Sequence, residues 1–207
     1  MFDLTLSMLV MRVLAALIII GVHGFALAAA AKLLGDGQAG DRLSVSPFGH
    51  VDLLGLLAFL LFGFGWILPV PMNFKRIRGG VWAVPLVLVA GLAPVLLIAA
   101  LAVYLLPWAS VSFSYSTAPM VVAFLGILAR LSIGFVLLNL LPVPPFSLGQ
   151  LLVACREDWR ESAKRFHFAF AIIALLLGYA VQPWIAGAVD AVAHTFFGDI
   201  SLLSRAR

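Results

Sequence analysis

The stretch IIIGVHGFALAAAAKLLGD, residues 18–36, decides what kind of fold this chain can adopt. It places His23 inside an apolar run that extends from about residue 8 to residue 33. About 20 predominantly apolar residues cross the roughly 30 Å hydrocarbon core of a bilayer. We therefore predict a transmembrane helix at 8–33, in which His23 is an ionisable group inside the membrane.

The composition of the whole chain agrees with this prediction. Of the 207 residues, 64% are hydrophobic and only 11% are charged, whereas about a quarter of the residues of a soluble domain are charged. The excess of apolar side chains must face lipid. We expect an integral membrane protein that contacts membrane lipids, and the single cysteine, Cys155, excludes an intramolecular disulfide.

The apolar segments predict an all-α fold with five or six transmembrane helices. Five segments are long enough to cross, at about 8–33, 51–70, 81–106, 120–142 and 165–182. A sixth stretch, 183–197, is amphipathic and forms either a short span or an interfacial helix. Because no linker divides the chain, residues 1–207 are predicted to form a single polytopic membrane domain.

Basic residues cluster at FKRIRGG (74–80) and CREDWRESAKRF (155–166). Such clusters mark cytoplasmic loops and contact anionic lipid heads, and without a sizeable soluble basic domain we expect no nucleic-acid partner. The side of the N-terminus stays open. It is inside if 51–70 crosses the membrane, and outside if 51–70 is re-entrant, with FGFGW (62–66) providing the bend.

A second stretch, LLNLLPVPPFSLGQLL at 137–152, combines a helix end at Asn139 with a proline-rich turn. Non-helical backbone at membrane depth is tolerated only where it is buried in protein or lines a cavity. The turn formed by Pro142, Pro144 and Pro145 is therefore either a rigid helix exit or part of a site.

Four stretches in order resemble the site-2 protease family of intramembrane zinc metalloproteases, in its short type without a PDZ domain. HGFAL stands where the family has His-Glu-x-x-His, and SPFGHVDLLG stands where it has Asn-Pro-x-x-His-Ile-Asp-Pro-x-Gly. PVPMNFKRIRGG matches a Pro-Val-Pro-x-Asn stretch, and NLLPVPPFSLGQ matches Asn-Leu-Leu-Pro-x-Pro-Pro-Leu-Asp-Gly. The resemblance implies a site-2-protease-like helical bundle, which we expect in a bacterial inner (plasma) membrane.

The chain departs from this family at the positions that carry the chemistry. In the family, two histidines one helical turn apart and a distant aspartate bind zinc, and a glutamate activates water. Here His23 is kept, but Gly24, Leu27 and Ser147 replace the glutamate, the second histidine and the aspartate, and Val95 replaces a third-helix asparagine. We predict no bound metal, no cofactor and no catalytic residue, and we interpret the chain as a pseudoprotease.

Other chemistries remain open as alternatives. The chain could be a zinc endopeptidase with rearranged ligands, taken from His23, His50 and Asp52, or a cofactor- or pigment-binding subunit in which His23 is an axial ligand. Ser147 has no histidine or lysine partner that the sequence predicts, and Cys155 has no base. The remaining interpretation of His23 is a relic that hydrogen-bonds a helix carbonyl or a serine or threonine oxygen.

Arg130 lies near the middle of predicted helix 120–142, where an arginine is costly unless it is paired. Its possible partners are Asp52 or Asp190 in this chain, or a group on another protein or a lipid. We predict a non-catalytic scaffold or subunit that binds transmembrane partners of a larger complex in a groove between 8–33 and 137–150. The partner-binding candidates are Arg130, Asn139, Pro142, Pro144 and Pro145.

Overall fold

The computed structural model describes residues 5–197, and the regular structure in this range is helical. The α-helices are α1 (Leu6–Leu33), α2 (Leu53–Phe62), α3 (Val84–Ser112), α4 (Ala118–Asn139), α5 (Ser147–Ala154) and α6 (Glu157–Phe197). Short 3-10 turns lie at Gly37–Arg42, Pro47–Gly49 and Gly80–Ala83. In the described range, extended pairing is limited to an isolated antiparallel bridge between Val51 and Ile67.

Three helical stretches of the described residues are long and apolar enough to cross a membrane: Leu6–Leu33, Gly80–Ser112 and Ala118–Asn139. The segments Arg165–Gly178 and Gln182–Val192 within α6 give a fourth span if they are taken together, although they are bent by 75°. The chain is therefore an all-helical membrane protein whose apolar outer surface contacts lipid. The predicted count of five or six spans is not confirmed.

The predicted segment 51–70 contains only a short helix. Helix α2 has only 10 residues, about 15 Å, which is half of a roughly 30 Å hydrocarbon core. Gly63 ends it in the left-handed conformation, with φ of 80°, and the chain then runs back beside its own start. The backbone N–H of Leu68 donates to the carbonyl of His50 at 2.8 Å, so the two ends of the segment lie side by side.

The arms of this returning segment approach each other at glycines. A Cβ at Gly55 would lie 2.3 Å from the carbonyl oxygen of Trp66, and one at Gly65 would lie 2.4 Å from the carbonyl oxygen of Gly55. No other residue type fits this backbone contact. Phe59, Trp66 and Ile67 are completely buried, whereas Leu53 is 80% exposed, so one side of the segment packs into the protein core and the other lies at the surface.

Helix α1 packs against both α3 and α4, which form a pair joined by a short loop. Its buried face is rich in small residues, including Ala15, Ala16 and Ala28, which allow close helix approach. The backbone N–H of Arg78 donates to the carbonyl of Leu34 at 2.8 Å. The end of α1 and the loop that precedes α3 therefore lie together, and both carry basic side chains.

Candidate functional site

Helix α1 carries His23 into the core, where its side chain has 0% exposure. Its Nδ1 lies 2.8 Å from the carbonyl oxygen of Gly91 on α3, and its Nε2 lies 2.8 Å from the Oγ of Ser147. Because a carbonyl oxygen can only accept, Nδ1–H is the donor to Gly91, and Nε2 of a neutral imidazole accepts from the serine hydroxyl. The ring also meets Phe135 edge-on, with centroids 4.8 Å apart.

Ser147 is the first residue of α5 and is only 1% exposed. Its backbone N–H donates to Oδ1 of Asn139 at 3.0 Å, and its Oγ lies 2.8 Å from the same oxygen. The Asn139 amide donates in turn to the carbonyls of Phe135 at 2.8 Å and Gly65 at 3.2 Å. The hydroxyl of Ser147 has one proton and two acceptors at 2.8 Å, Oδ1 of Asn139 and Nε2 of His23, so its proton is shared between them.

This set, His23, Ser147 and Asn139 with the carbonyl of Gly91, is called the buried polar network below. It joins α1, α3, α4 and α5 with the segment that follows α2. The sequence predicted no histidine partner for Ser147. The structure identifies His23 as that partner, across 124 residues of chain. Its two contacts, a helix carbonyl and a serine oxygen, are of the kinds expected for a hydrogen-bonded histidine.

The glutamate position of the family motif has no room for a side chain. A Cβ at Gly24 would lie 2.3 Å from Cγ and 2.5 Å from Nδ1 of His50. The imidazole of His50 is buried, and its Nε2 lies 3.0 Å from the carbonyl oxygen of Ser44, to which it donates. His50 therefore fills the space that a glutamate at position 24 would need.

The second histidine position and the asparagine position are likewise part of the apolar core. Leu27 and Val95 are both buried. A Cβ at Gly91 would lie 2.6 Å from Cδ2 of Leu27, so α1 and α3 are in close contact here. Apolar packing has taken the place of polar groups at both positions.

These residues do not fit a zinc ion. In residues 5–197, no group of three or more His, Cys, Asp or Glu side chains is arranged to hold a metal. Structural and catalytic zinc sites use at least three such ligands, whereas His23 faces a hydroxyl and a carbonyl. Axial ligation of a haem or chlorin by His23 would break one of its two 2.8 Å hydrogen bonds.

The alternative zinc ligands His23, His50 and Asp52 are not brought together as a set. Asp52 caps α2, where it accepts from the backbone N–H groups of Leu54 at 2.9 Å and Gly55 at 3.0 Å. Its second oxygen accepts from Nε2 of His167 at 2.7 Å. Both carboxylate oxygens of Asp52 therefore already accept hydrogen bonds, one from α2 and the other from α6.

A serine hydroxyl that donates to an imidazole with an oriented second nitrogen is also the arrangement of a nucleophile and its base. Ser147 and His23 have this geometry. However, both are almost fully buried, so a substrate carbonyl cannot approach Oγ in this conformation. The pair functions here as an interhelical hydrogen bond.

The partner-binding candidates are dispersed. Arg130 forms a 2.6 Å ion pair with Asp190 of α6, and their side chains are 19% and 39% exposed. Asn139 lies in the buried polar network, and Pro145 is buried. The contact between His23 and Ser147 closes the predicted groove between α1 and 137–150 at that level.

Pro142 and Pro144 line a cavity of about 270 Å³ between the proline turn, α5 and the first part of α6. The cavity also involves Trp159 and Phe166 of α6. These two helix residues could not be found from the sequence, because their contact with the turn depends on how α6 folds back. The open space next to the proline turn is therefore on the α6 side.

Comparison with known proteins supports the resemblance carried by the motifs. No family model matches the chain, and no solved structure matches it significantly. The chain is similar to a protein of Bacillus subtilis (strain 168) described as "Putative zinc metalloprotease YwhC", with 26% identity over 205 residues. The alignment covers 92% of this chain and 93% of the relative. This similarity supports the resemblance to site-2-type zinc metalloproteases that the four motifs carry.

Proposed function

We propose that this chain is a non-catalytic relative of the site-2 proteases, which acts as a scaffold or subunit for transmembrane partners in a larger membrane complex. The observation that carries the proposal is the buried polar network. His23 is the one family ligand that remains, and both of its ring nitrogens bond protein oxygens at 2.8 Å. The network cross-links the helices that a metal would otherwise join.

The packing of Gly24 supports the loss of chemistry independently of the metal. A general base must lie within hydrogen-bond reach of the proton that it removes. Position 24 carries no side chain, and His50 fills the adjacent space. A chain that regained zinc ligands would still lack the base.

We further propose that residues 1–207 form one domain of a bacterial inner membrane, with 51–70 re-entrant. The side-by-side ends of that segment support a re-entrant path. Lys32, Lys75, Arg76 and Arg78 are exposed near the joined ends of α1 and α3. Basic residues favour the cytoplasmic side, so the N-terminus is on the outside.

The surface proposed for a partner is the outer side of the proline turn. Leu140, Leu141 and Val143 are all exposed there. The small residues of α1 do not face a partner, because Gly24, Ala28 and others are already buried within this chain. The pairing of Arg130 with Asp190 favours an internal role for that arginine.

The first experiment measures zinc in the purified full-length chain. We expect no stoichiometric zinc and no effect of a chelator on thermal unfolding, whereas Leu27→His combined with Ser147→Asp should bind about one zinc per chain, because it restores three ligands. The single change Leu27→His is the matched control, with two ligands. About one zinc on the unmodified chain would support the endopeptidase alternative and contradict the proposal.

The second experiment addresses the partner. Cross-linking in native membranes, followed by identification of the captured transmembrane proteins, should give a defined set of partners. The variant Val143→Asp should capture less of these partners. Val111→Asp is the control, since Val111 is the same residue type and is also exposed but lies at the C-terminal end of α3. Equal capture by both variants and by the unmodified chain would rule out the proline turn as the contact.

A further inference from the structure

We propose that the cavity between the proline turn, α5 and α6 holds the acyl chain of an anionic phospholipid, whose phosphate pairs with Arg156. The cavity has a volume of about 270 Å³, and every lining side chain except Ser162 is apolar. Pro142 and Pro144 form one wall, Val153 a second, and Trp159 and Phe166 a third. An apolar tail is the chemistry that such walls accept.

The size of the cavity favours a lipid tail over a partner helix as its occupant. A cavity of about 150 Å³ lined by apolar side chains accepts a benzene molecule. One 5.4 Å turn of a helix about 10 Å wide occupies roughly 400 Å³. The cavity of about 270 Å³ is thus too small for a helix but large enough for part of an acyl chain.

A cationic group lies next to the opening of this cavity. Trp159 and Phe166 are each about half exposed, so the cavity reaches the surface at α6. The guanidinium carbon of Arg156 lies 5.1 Å from the ring centroid of Trp159. This is within the range of a cation–π contact. Tryptophan and arginine are also the side chains that favour the membrane–water interface.

Together these features distinguish an anionic lipid from simpler ligands. A free phosphate would not use the apolar walls, and an uncharged lipid would not use the cation. The segment 155–166 contains four basic and three acidic residues. Its net charge is therefore small, and selectivity for an anionic head depends on where Arg156 is held.

The test uses the delipidated chain in detergent. Native mass spectrometry measures the binding of two lipids that have the same acyl chains, phosphatidylglycerol and phosphatidylcholine. We expect one tightly bound phosphatidylglycerol per chain. Arg156→Gln should weaken its binding about fivefold, the effect of one basic side chain near an anionic group. Phosphatidylcholine binding should not change in this variant.

Arg165→Gln is the matched control, because Arg165 is exposed in the same segment and the change removes the same charge. Val153→Phe fills the cavity and should weaken the binding of both lipids. If this variant fails to fold, Ser162→Leu, at an exposed position of the cavity lining, provides the same test. Equal weakening by the two arginine variants would overturn the proposal, since binding would then follow diffuse charge. Unchanged lipid binding in the filled variant would also overturn the proposal, since the lipid would then bind outside the cavity.

Discussion

The change Ser147→Ala tests whether the buried polar network stabilises the bundle. It removes the 2.8 Å contacts of Oγ with Nε2 of His23 and Oδ1 of Asn139 but keeps the backbone hydrogen bond to Asn139. Nε2 of His23 then loses its donor in a site with 0% exposure. An unsatisfied buried acceptor costs about 1–3 kcal/mol, whereas interhelical hydrogen bonds in membranes reach about 1.7 kcal/mol at most.

We therefore expect Ser147→Ala to lower the free energy of unfolding by about 1–2 kcal/mol. At about 2–4 °C per kcal/mol for a chain of this length, the midpoint of thermal unfolding falls by about 2–8 °C. The measurement is thermal unfolding of the purified chain in detergent. The same shift should appear with and without a chelator, because no metal contributes to the contact.

Ser132→Ala is the matched control. Ser132 is a completely buried serine on α4, and its Oγ has no hydrogen-bond partner among the described residues. Its removal should be neutral or slightly stabilising, since no bond is lost. If Ser147→Ala is no more destabilising than Ser132→Ala, the network does not carry the proposed stability. A double-mutant cycle with His23→Phe should give a coupling of about 0.5 kcal/mol or more, and strict additivity would contradict the contact.

Three further perturbations test other parts of the structure by thermal unfolding. Gly24→Ala should destabilise the chain by about 1–3 kcal/mol through overpacking, because its Cβ would lie 2.3 Å from the ring of His50. The second change His50→Ala should restore the lost stability. Gly187→Ala is the control and should be neutral, because a Cβ there has no neighbour within 4 Å. Arg130→Leu should lower the free energy of unfolding by about 1–3 kcal/mol, between the values for exposed and buried ion pairs. The double variant Arg130→Leu with Asp190→Leu should recover part of this loss. Unchanged stability of the single variant would exclude the internal pair. Burial raises the pKa of Asp52, but hydrogen bonds from His167 and from the backbone of Gly55 and Leu54 outweigh it and leave this pKa below its ordinary value. Its stabilising contribution is therefore present at neutral pH and is lost as the pH falls below about 4, and Asp52→Asn should remove that part of the pH dependence.

The sequence by itself determined that the chain is a membrane protein and which residues stand at the catalytic positions of the family motifs. The apolar runs at 8–33, 81–106 and 120–142 correspond to α1, α3 and α4, because a segment that long and apolar has no other stable environment than a bilayer. The replacements at Gly24, Leu27 and Ser147 are visible without coordinates, since ligand chemistry depends on residue type. Periodicity and composition are local properties, and local properties can be read from the chain.

The tertiary structure alone decided where the apolar segment 51–70 goes. Its composition is compatible with either lipid or core, and the choice depends on Gly63, whose left-handed turn ends α2, and on the contact between Gly55 and Trp66. The hydrogen-bond and ion-pair partners of the polar side chains could not be found from the sequence either. Ser147 meets His23 across 124 residues, and Arg130 meets Asp190 instead of Asp52. These pairings arise from how helices α1, α4, α5 and α6 pack, and packing brings together residues whose separation in sequence carries no information about their distance in space.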